Sequence, residues 1–288
     1  MTSHWSQLLF SNATAPRMAV VAAYPAAEVI GAGVQLRRWS HAQVVHVTDG
    51  APRNSVDVWR AGFVTSEEYA SFRQREAITA LALTGIQVRQ LHPLGFAAQE
   101  TTLNLVSLTE TMVDKLLELQ PQVVLTHAYE GGHPDNDATA FAVHTACAIL
   151  QQELGVQPLI VEFAGYFNRA GIMATGEFLP RARQEVVTRV LTPAERQFKQ
   201  QLFACCQTQR DRLQYFPIGH ERFRLAPVYD FAQAPHPGKL HYELFEWGTT
   251  GERWRKLAGA ALRRFTEDDI VASRLAATTH ESHTPLCN

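Results

Sequence analysis

The chain predicts an α/β fold: a Rossmann-like, mostly parallel sheet with helices on both faces and a C-terminal cap. Two observations predict it. In the first half, short apolar runs alternate with stretches of helical length, the pattern of a parallel sheet with crossover helices. From about Phe216 the texture changes to extended, turn-rich chain rich in Pro and aromatic residues.

The strand-like runs are Ala19–Ala23, Gln43–Val47, Gln87–Leu91, Gln122–Thr126 and Leu159–Phe163. Helical stretches lie near Glu28–Trp39, Ser66–Leu83, Thr102–Leu119 and Ala138–Leu154. Thr65-Ser66 ahead of Glu67-Glu68 marks a helix start, with acidic residues in the first turn. Thr192-Pro193-Ala194-Glu195 marks another, with Pro at the first helical position, and its helix is expected to run toward Leu213. Further on, Ala226–Phe231 and Pro235–Gly238 read as turn-rich, Tyr242–Trp247 as a strand or capping segment, and Trp254–Arg264 as a final helix. The economical division is an N-terminal extension over 1–17, one α/β domain over 18–277 including a cap at about 216–265, and a polar tail over 278–288, expected to be disordered.

With 288 residues the chain can bury a full core, and 46% hydrophobic content is ordinary for a globular protein. A net charge of −2 gives no electrostatic case for nucleic acid or an anionic membrane. No apolar stretch reaches transmembrane length. The first residues lack a basic segment followed by an apolar one, so no signal peptide is expected and the cytoplasm is the expected compartment. Cys147, Cys205, Cys206 and Cys287 lack zinc-ligand spacing and read as reduced core thiols.

Function in such a sheet sits in loops beyond the carboxyl ends of the strands. The loops Tyr24–Glu28, Thr48–Asn54 and His127–Asp137 each follow a strand and are expected to converge. Two of them carry a recognisable frame. Tyr24-Pro25-Ala26-Ala27-Glu28 follows the run Met18–Ala23 and opens into Val29-Ile30-Gly31-Ala32-Gly33; Gly131-Gly132-His133-Pro134-Asp135-Asn136-Asp137 follows Val123–His127. This frame resembles the PIG-L/LmbE family of zinc-dependent N-deacetylases. That family carries His-Pro-Asp-Asp-Glu at the first loop and His-Pro-Asp-His at the second. The resemblance implies metal ligands at positions 24, 27 and 136 and a general base at 26. Here those positions hold Tyr24, Ala27, Asn136 and Ala26. Phe223–Phe231 and Pro235–Leu240 resemble a C-terminal pattern of one subgroup, so the likeness spans most of 18–260.

A catalytic zinc needs three protein donors. Alanines offer none, a phenol with pKa near 10 is a poor ligand, and Asn offers a neutral amide oxygen. No metal and no other cofactor is therefore expected. Random decay should erode neighbours as readily as ligands, yet Glu28, His133, Pro134 and Asp135 persist while the losses share one task.

The candidate catalytic residues are His133, Asp135, Glu28 and Tyr24. In the family resembled, the matching His is a non-ligand that stabilises an oxyanion or protonates a leaving group, and the matching Asp orients it. A carboxylate holding an imidazole would raise its pKa; the bland alternative is a loop histidine tied by the Gly131-Gly132 turn. Glu28 reads equally as a helix cap or an acid. Tyr24 reads as a plug in a vacated metal cavity or as a proton donor. Candidate substrate contacts are Asp49, Arg75, Tyr129, Glu130, Asn136 and His236. Asp49 could serve only its turn, Arg75 and Glu76 only a charged helix face, and His236 only a surface turn. His127, ending a buried strand, reads as a core histidine.

The reading is a repurposed, metal-independent acid–base enzyme acting on a polar small molecule in a specialised biosynthetic pathway, by elimination, isomerisation or cyclisation. The alternatives are a non-catalytic pseudo-deacetylase that binds a ligand or partner, and a zinc amidohydrolase with unusual ligands. The expected partner is a polar small molecule, with a homo-oligomer compatible and neither nucleic acid nor membrane involved.

Overall fold

The computed structural model describes residues 4–10, 15–245 and 247–267. Nine helices and nine strands follow in chain order among these residues: α1 His4–Phe10, β1 Met18–Ala22, α2 Ala27–Ala32, β2 Gln43–Thr48, α3 Ser55–Arg60, α4 Ser66–Thr84, β3 Leu91–Phe96, α5 Leu105–Leu119, β4 Val123–His127, α6 Pro134–Leu154, β5 Leu159–Phe163, β6 Tyr166–Arg169, β7 Ile172–Thr175, β8 Val186–Val190, α7 Pro193–Cys205, α8 Arg210–Leu213, β9 His220–Leu225 and α9 Gly251–Glu267. The main sheet has the order β3-β2-β1-β4-β5-β9-β8. Its first five strands are parallel, and β9 and β8 join antiparallel. A β6–β7 hairpin stands apart. Strand order reverses between β1 and β4, which makes the carboxyl ends of those two strands the switch point where a crevice opens.

β1 and β4 are buried along their whole length, as central parallel strands covered on both faces must be. One core lies on the face of α5, α6 and α9, where Trp254, Ala258 and Ala261 pack with Met112 and Phe141. The other face holds Leu36, Trp39, Phe163 and Phe223, together with Trp5 and Leu9 of α1. The N-terminal segment is thus not merely a polar extension: α1 contributes two core side chains. Likewise α9 packs into the core rather than over the crevice.

Several boundaries depart from the sequence reading for local reasons. The third strand starts at Leu91 because Gln87 and Gln90 close a capped 3₁₀ turn instead; Pro93 is tolerated there because β3 is an edge strand. The expected helix over 28–39 stops at Ala32 and resumes as a 3₁₀ turn at Gln35–Arg37. α6 begins four residues early because His133 caps it and Pro134 occupies its first turn. The expected helix from Pro193 to Leu213 is split at Cys206, a non-helical residue. Where a strand or capping segment is expected from Tyr242, His241–Leu244 forms a 3₁₀ turn. The tail expected over 278–288, and Cys287 within it, lie outside the described residues.

A buried ion pair ties the first loop region to the antiparallel wing. Lys199 of α7 donates to Glu221 of β9 at 2.8 Å and to the Ile30 carbonyl at 2.9 Å. Glu221 in turn accepts from the backbone N–H groups of Val34 and Gln35. These bonds satisfy the broken end of the α2 region, whose backbone would otherwise be orphaned inside the protein.

Candidate functional site

The chain leaves β1 through Tyr24 and Pro25 and turns at Ala26, whose φ of 78° is left-handed. A residue with a Cβ is disfavoured there by about 1–2 kcal/mol. The Glu28 carboxylate holds this turn by accepting from the Ala26 N–H at 3.4 Å. Its other oxygen faces His46 Nε2 at 3.3 Å, and the residue is fully buried. Glu28 therefore lies behind the loop and braces it; it does not line the crevice.

From β4 the chain passes through Gly131 and Gly132 into α6. A Cβ on Gly132 would sit 2.1 Å from the Tyr166 carbonyl oxygen, so the loop fits against the hairpin only with glycine there. Asp137 Oδ1 accepts from the N–H groups of Glu130 and Gly131 and shapes the same turn. His133 is thereby held at the N-terminus of a 21-residue helix.

The two loops meet in a crevice of about 240 Å³ whose lining includes Tyr24, Arg73, His133, Asp135, Arg212 and Trp247. The Tyr24 and His133 rings stand edge to face with centroids 5.4 Å apart. Trp247 covers His133 from the outside at 4.9 Å. Arg73 of α4 places its guanidinium 5.5 Å from the Tyr24 ring centroid and donates to the carbonyls of Pro25 and Gly50.

His133 differs from the sequence expectation in a way that matters chemically. Its Nδ1 accepts from the backbone N–H of Asp135 at 3.1 Å, as a helix cap. An accepting Nδ1 carries no proton, so the proton of the neutral ring is on Nε2. The Asp135 carboxylate is 3.7 Å from Nδ1 and bonds elsewhere, to the Gln99 N–H and the Thr101 hydroxyl. Burial first, then the guanidinium of Arg212, holds the His133 pKa well below the usual imidazole value. The expected carboxylate-oriented imidazole with a raised pKa is thus replaced by a neutral Nε2–H donor.

Asp135 is itself buried, and burial pushes its carboxyl up to about 6. It positions the 97–104 segment against α6. The Tyr24 phenol is pushed above its ordinary value by burial, an effect opposed by Arg212, Tyr166, Arg73 and Asn136. His127 accepts from the Ala23 N–H through Nε2 at 3.0 Å, and burial lowers its pKa to about 3. It is a neutral core residue joining β4 to the end of β1.

The remaining candidates divide clearly. Asn136 is buried beside Tyr24, and its Oδ1 has no hydrogen-bond partner among the described residues. Asp49 serves its own turn, bonding the Ala51 N–H and Arg53. Arg75 is a correction: it is exposed and stacks on Phe72, while Arg73, two residues earlier and about 200° around the helix, is the arginine that reaches the crevice. Its neighbour Glu76 caps a different segment through Thr208. Tyr129 is also corrected, because it packs in the core on Trp254 and bonds the Gln233 carbonyl. Glu130 pairs with Arg224 and accepts from the Leu179 N–H, away from the crevice, and burial pushes its carboxyl to about 7. His236 bonds the Pro237 carbonyl and does not overhang the crevice. Sequence reasoning missed Arg212, Tyr166 and Trp247. Trp247 carried a signal, as an aromatic in a turn-rich segment; the other two carried none.

The donors at the family's metal positions do not fit zinc. Ala26 and Ala27 have no donor, the buried Tyr24 phenol resists ionisation, and Asn136 is neutral. Among the described residues no group of three or more His, Cys, Asp or Glu side chains could hold a metal ion. No described helix is long and apolar enough to cross a membrane.

Comparison with known proteins agrees with this fold. Residues 19–147 match the family described as PIG-L: GlcNAc-PI de-N-acetylase. No curated protein matches the chain. Among solved structures, a deacetylase of teicoplanin biosynthesis bound to teicoplanin is 20% identical, with 74% of this chain and 100% of that chain covered and a TM-score of 0.54. N,N'-diacetylchitobiose deacetylase from Pyrococcus horikoshii is 16% identical over 79% of this chain and 94% of that chain, with a TM-score of 0.50. GalB, the 4-carboxy-2-hydroxymuconate hydratase from Pseudomonas putida, is 16% identical over 74% of this chain and 98% of that chain, with a TM-score of 0.52. At these identities the likeness to solved structures is one of fold.

Proposed function

We propose that this chain, which has a PIG-L-type fold with residues 19–147 matching the family itself, is a metal-independent enzyme that polarises a carbonyl group of a polar small molecule. The observation that carries the reading is the neutral His133, whose Nδ1 is engaged by the α6 backbone and whose Nε2 has no hydrogen-bond partner among the described residues. A neutral imidazole at a helix N-terminus is a hydrogen-bond donor to a carbonyl oxygen, and it strengthens that bond as charge develops on the oxygen. The protonated Tyr24 phenol beside it supplies a second neutral donor of the same kind. Two such donors in a buried crevice stabilise an enolate or related oxyanion without a cation.

The chemistry this supports is proton transfer next to a carbonyl, as in elimination, hydration or isomerisation. Asp135, with its carboxyl near 6, is the candidate base among the lining residues, being poised near neutral pH. Amide hydrolysis is less well served, since no group here generates a metal-bound hydroxide. The fold accommodates both outcomes in other proteins, a hydratase and several deacetylases being built on it.

The test follows hydrogen exchange at the carbon next to the carbonyl, by NMR in D₂O, for a panel of small keto compounds with a strong chelator present. Exchange should persist with chelator and fall about 100-fold or more in His133→Asn. Asn keeps the capping acceptor and removes the Nε2–H. Stoichiometric tightly held zinc with chelator-sensitive amide cleavage would overturn the reading. Ligand binding without any turnover would instead favour the non-catalytic alternative.

A further inference from the structure

The crevice contains two guanidinium groups, and neither has a carboxylate partner among the described residues. Arg73 donates only to backbone carbonyls, those of Gly50 and Pro25. Arg212, on the short helix α8 at the rim, forms no hydrogen bond or ion pair through its side chain among the described residues. The groups that influence its charge are phenols: Tyr166, Tyr24 and Tyr69.

Two carboxylates also line the crevice. Asp135 has both oxygens engaged, by Thr101 and by the Gln99 N–H. Asp211 is exposed and lies outside ion-pair distance of Arg212. The positive charge of Arg212 is therefore not quenched locally, and it acts on both His133 and Tyr24.

An independent observation comes from the polar atoms around Tyr24. Asn136 Oδ1 and His241 Nδ1 are buried without hydrogen-bond partners among the described residues, while the Tyr166 hydroxyl is directed at the Tyr24 phenol. Tyr166 and His241 are in ring contact, 5.2 Å between centroids. Asn136 is 5% and His241 8% exposed, so neither unmet atom is excused by a surface position. A buried polar atom without a partner is destabilising until something satisfies it. Asn136 lies beside Tyr24 and His241 beside His133, so both unmet atoms neighbour crevice residues without lining the crevice themselves.

We propose that the substrate carries an anionic oxygen group, a carboxylate or a phosphate, that docks on Arg212 with Arg73 contributing charge behind it. A planar guanidinium fork matches either group in a bidentate fashion. The size fits a metabolite of a few carbons, since about 240 Å³ falls below the range of pockets for drug-sized ligands. Placement of the opposite, carbonyl-bearing end at His133 and Tyr24 rests on the function proposed above; the anion site does not.

The experiment is isothermal titration of the full chain with inorganic phosphate, malonate and, as a neutral comparator, N-acetylglucosamine. At least one anion should bind more tightly than the neutral sugar, and more weakly as salt rises. Arg212→Gln should weaken that binding by roughly tenfold or more while the cooperative melt is retained, because the side chain has no hydrogen bond or ion pair to lose among the described residues. Preference for malonate identifies a carboxylate substrate, and preference for phosphate a phosphorylated one. Absence of anion binding, or an unchanged Kd in Arg212→Gln, would overturn the proposal. The parent chain and His133→Asn together separate the two readings: anion binding within about threefold in both, with no carbon–hydrogen exchange even in the parent, keeps this site and removes the proposed chemistry. Exchange that is indifferent to Arg212 does the reverse.

Discussion

Replacing His127 by Gln should change how stability responds to acid more than it changes stability at neutral pH. His127 is 3% exposed, and its Nε2 must stay unprotonated to accept from the Ala23 N–H. Its folded pKa of about 3 lies below the ordinary 6.5. The unfolded chain therefore binds a proton that the folded chain refuses, and stability drains away as pH falls below 6.5. Between pH 7 and 5 this single group removes about 2 kcal/mol. The wild-type curve alone will not show it. Asp135, raised to about 6, and Glu130, raised to about 7, take up protons in the folded state over the same interval and add roughly 1 and 2 kcal/mol in the opposite sense. The difference between variant and parent isolates the histidine, because both carboxyls are common to the two proteins. Gln can offer an amide oxygen to the same N–H. Urea denaturation at pH 7 and pH 5 should show His127→Gln losing about 2 kcal/mol less than wild type on acidification. Parallel losses, differing by under about 0.5 kcal/mol, would refute a neutral buried histidine.

Gly132→Ala should destabilise by about 1–3 kcal/mol and displace His133, since the new methyl meets the Tyr166 carbonyl at 2.1 Å; thermal melts together with the His133 NMR signals report both. Arg224→Ala should cost about 3–5 kcal/mol at pH 7.5, because Glu162 and Glu130 lose their buried cation. That loss should shrink at pH 5.5, where the folded state holds a proton on Glu130, and denaturant midpoints at the two pH values check the sign. Restoring donors with Tyr24→His, Ala27→Asp and Asn136→His together should create zinc affinity that the parent lacks. Elemental analysis after dialysis should find about one zinc per restored chain, and an equal content in the parent would contradict the account of the emptied site.

The architecture was legible in the chain because parallel strands buried on both faces, such as Met18–Ala22 and Val123–His127, must be continuous apolar runs whatever surrounds them. The antiparallel wing was not legible. β8 alternates between exposed and half-buried positions and β9 is polar along much of its length, so their membership in the sheet depends on pairing with β5 and each other rather than on apolar content. Alanine at 26 and 27 could be read directly, since a missing donor is a property of the residue itself. The choice between Arg73 and Arg75 could not, because it depends on the rotation of α4 about its axis against the β1 loop.

The amino-acid order by itself determined which chemical groups exist in the crevice loops and which were lost, since composition at a position needs no partner to be known. Only the tertiary structure decided their states. His133 is neutral because a backbone N–H occupies its Nδ1 and burial disfavours its charge. Arg212 faces Tyr24 although 188 positions separate them, 212 less 24. Protonation and charge balance are set by desolvation and by neighbours brought together through the fold, and neither quantity is carried by any one residue.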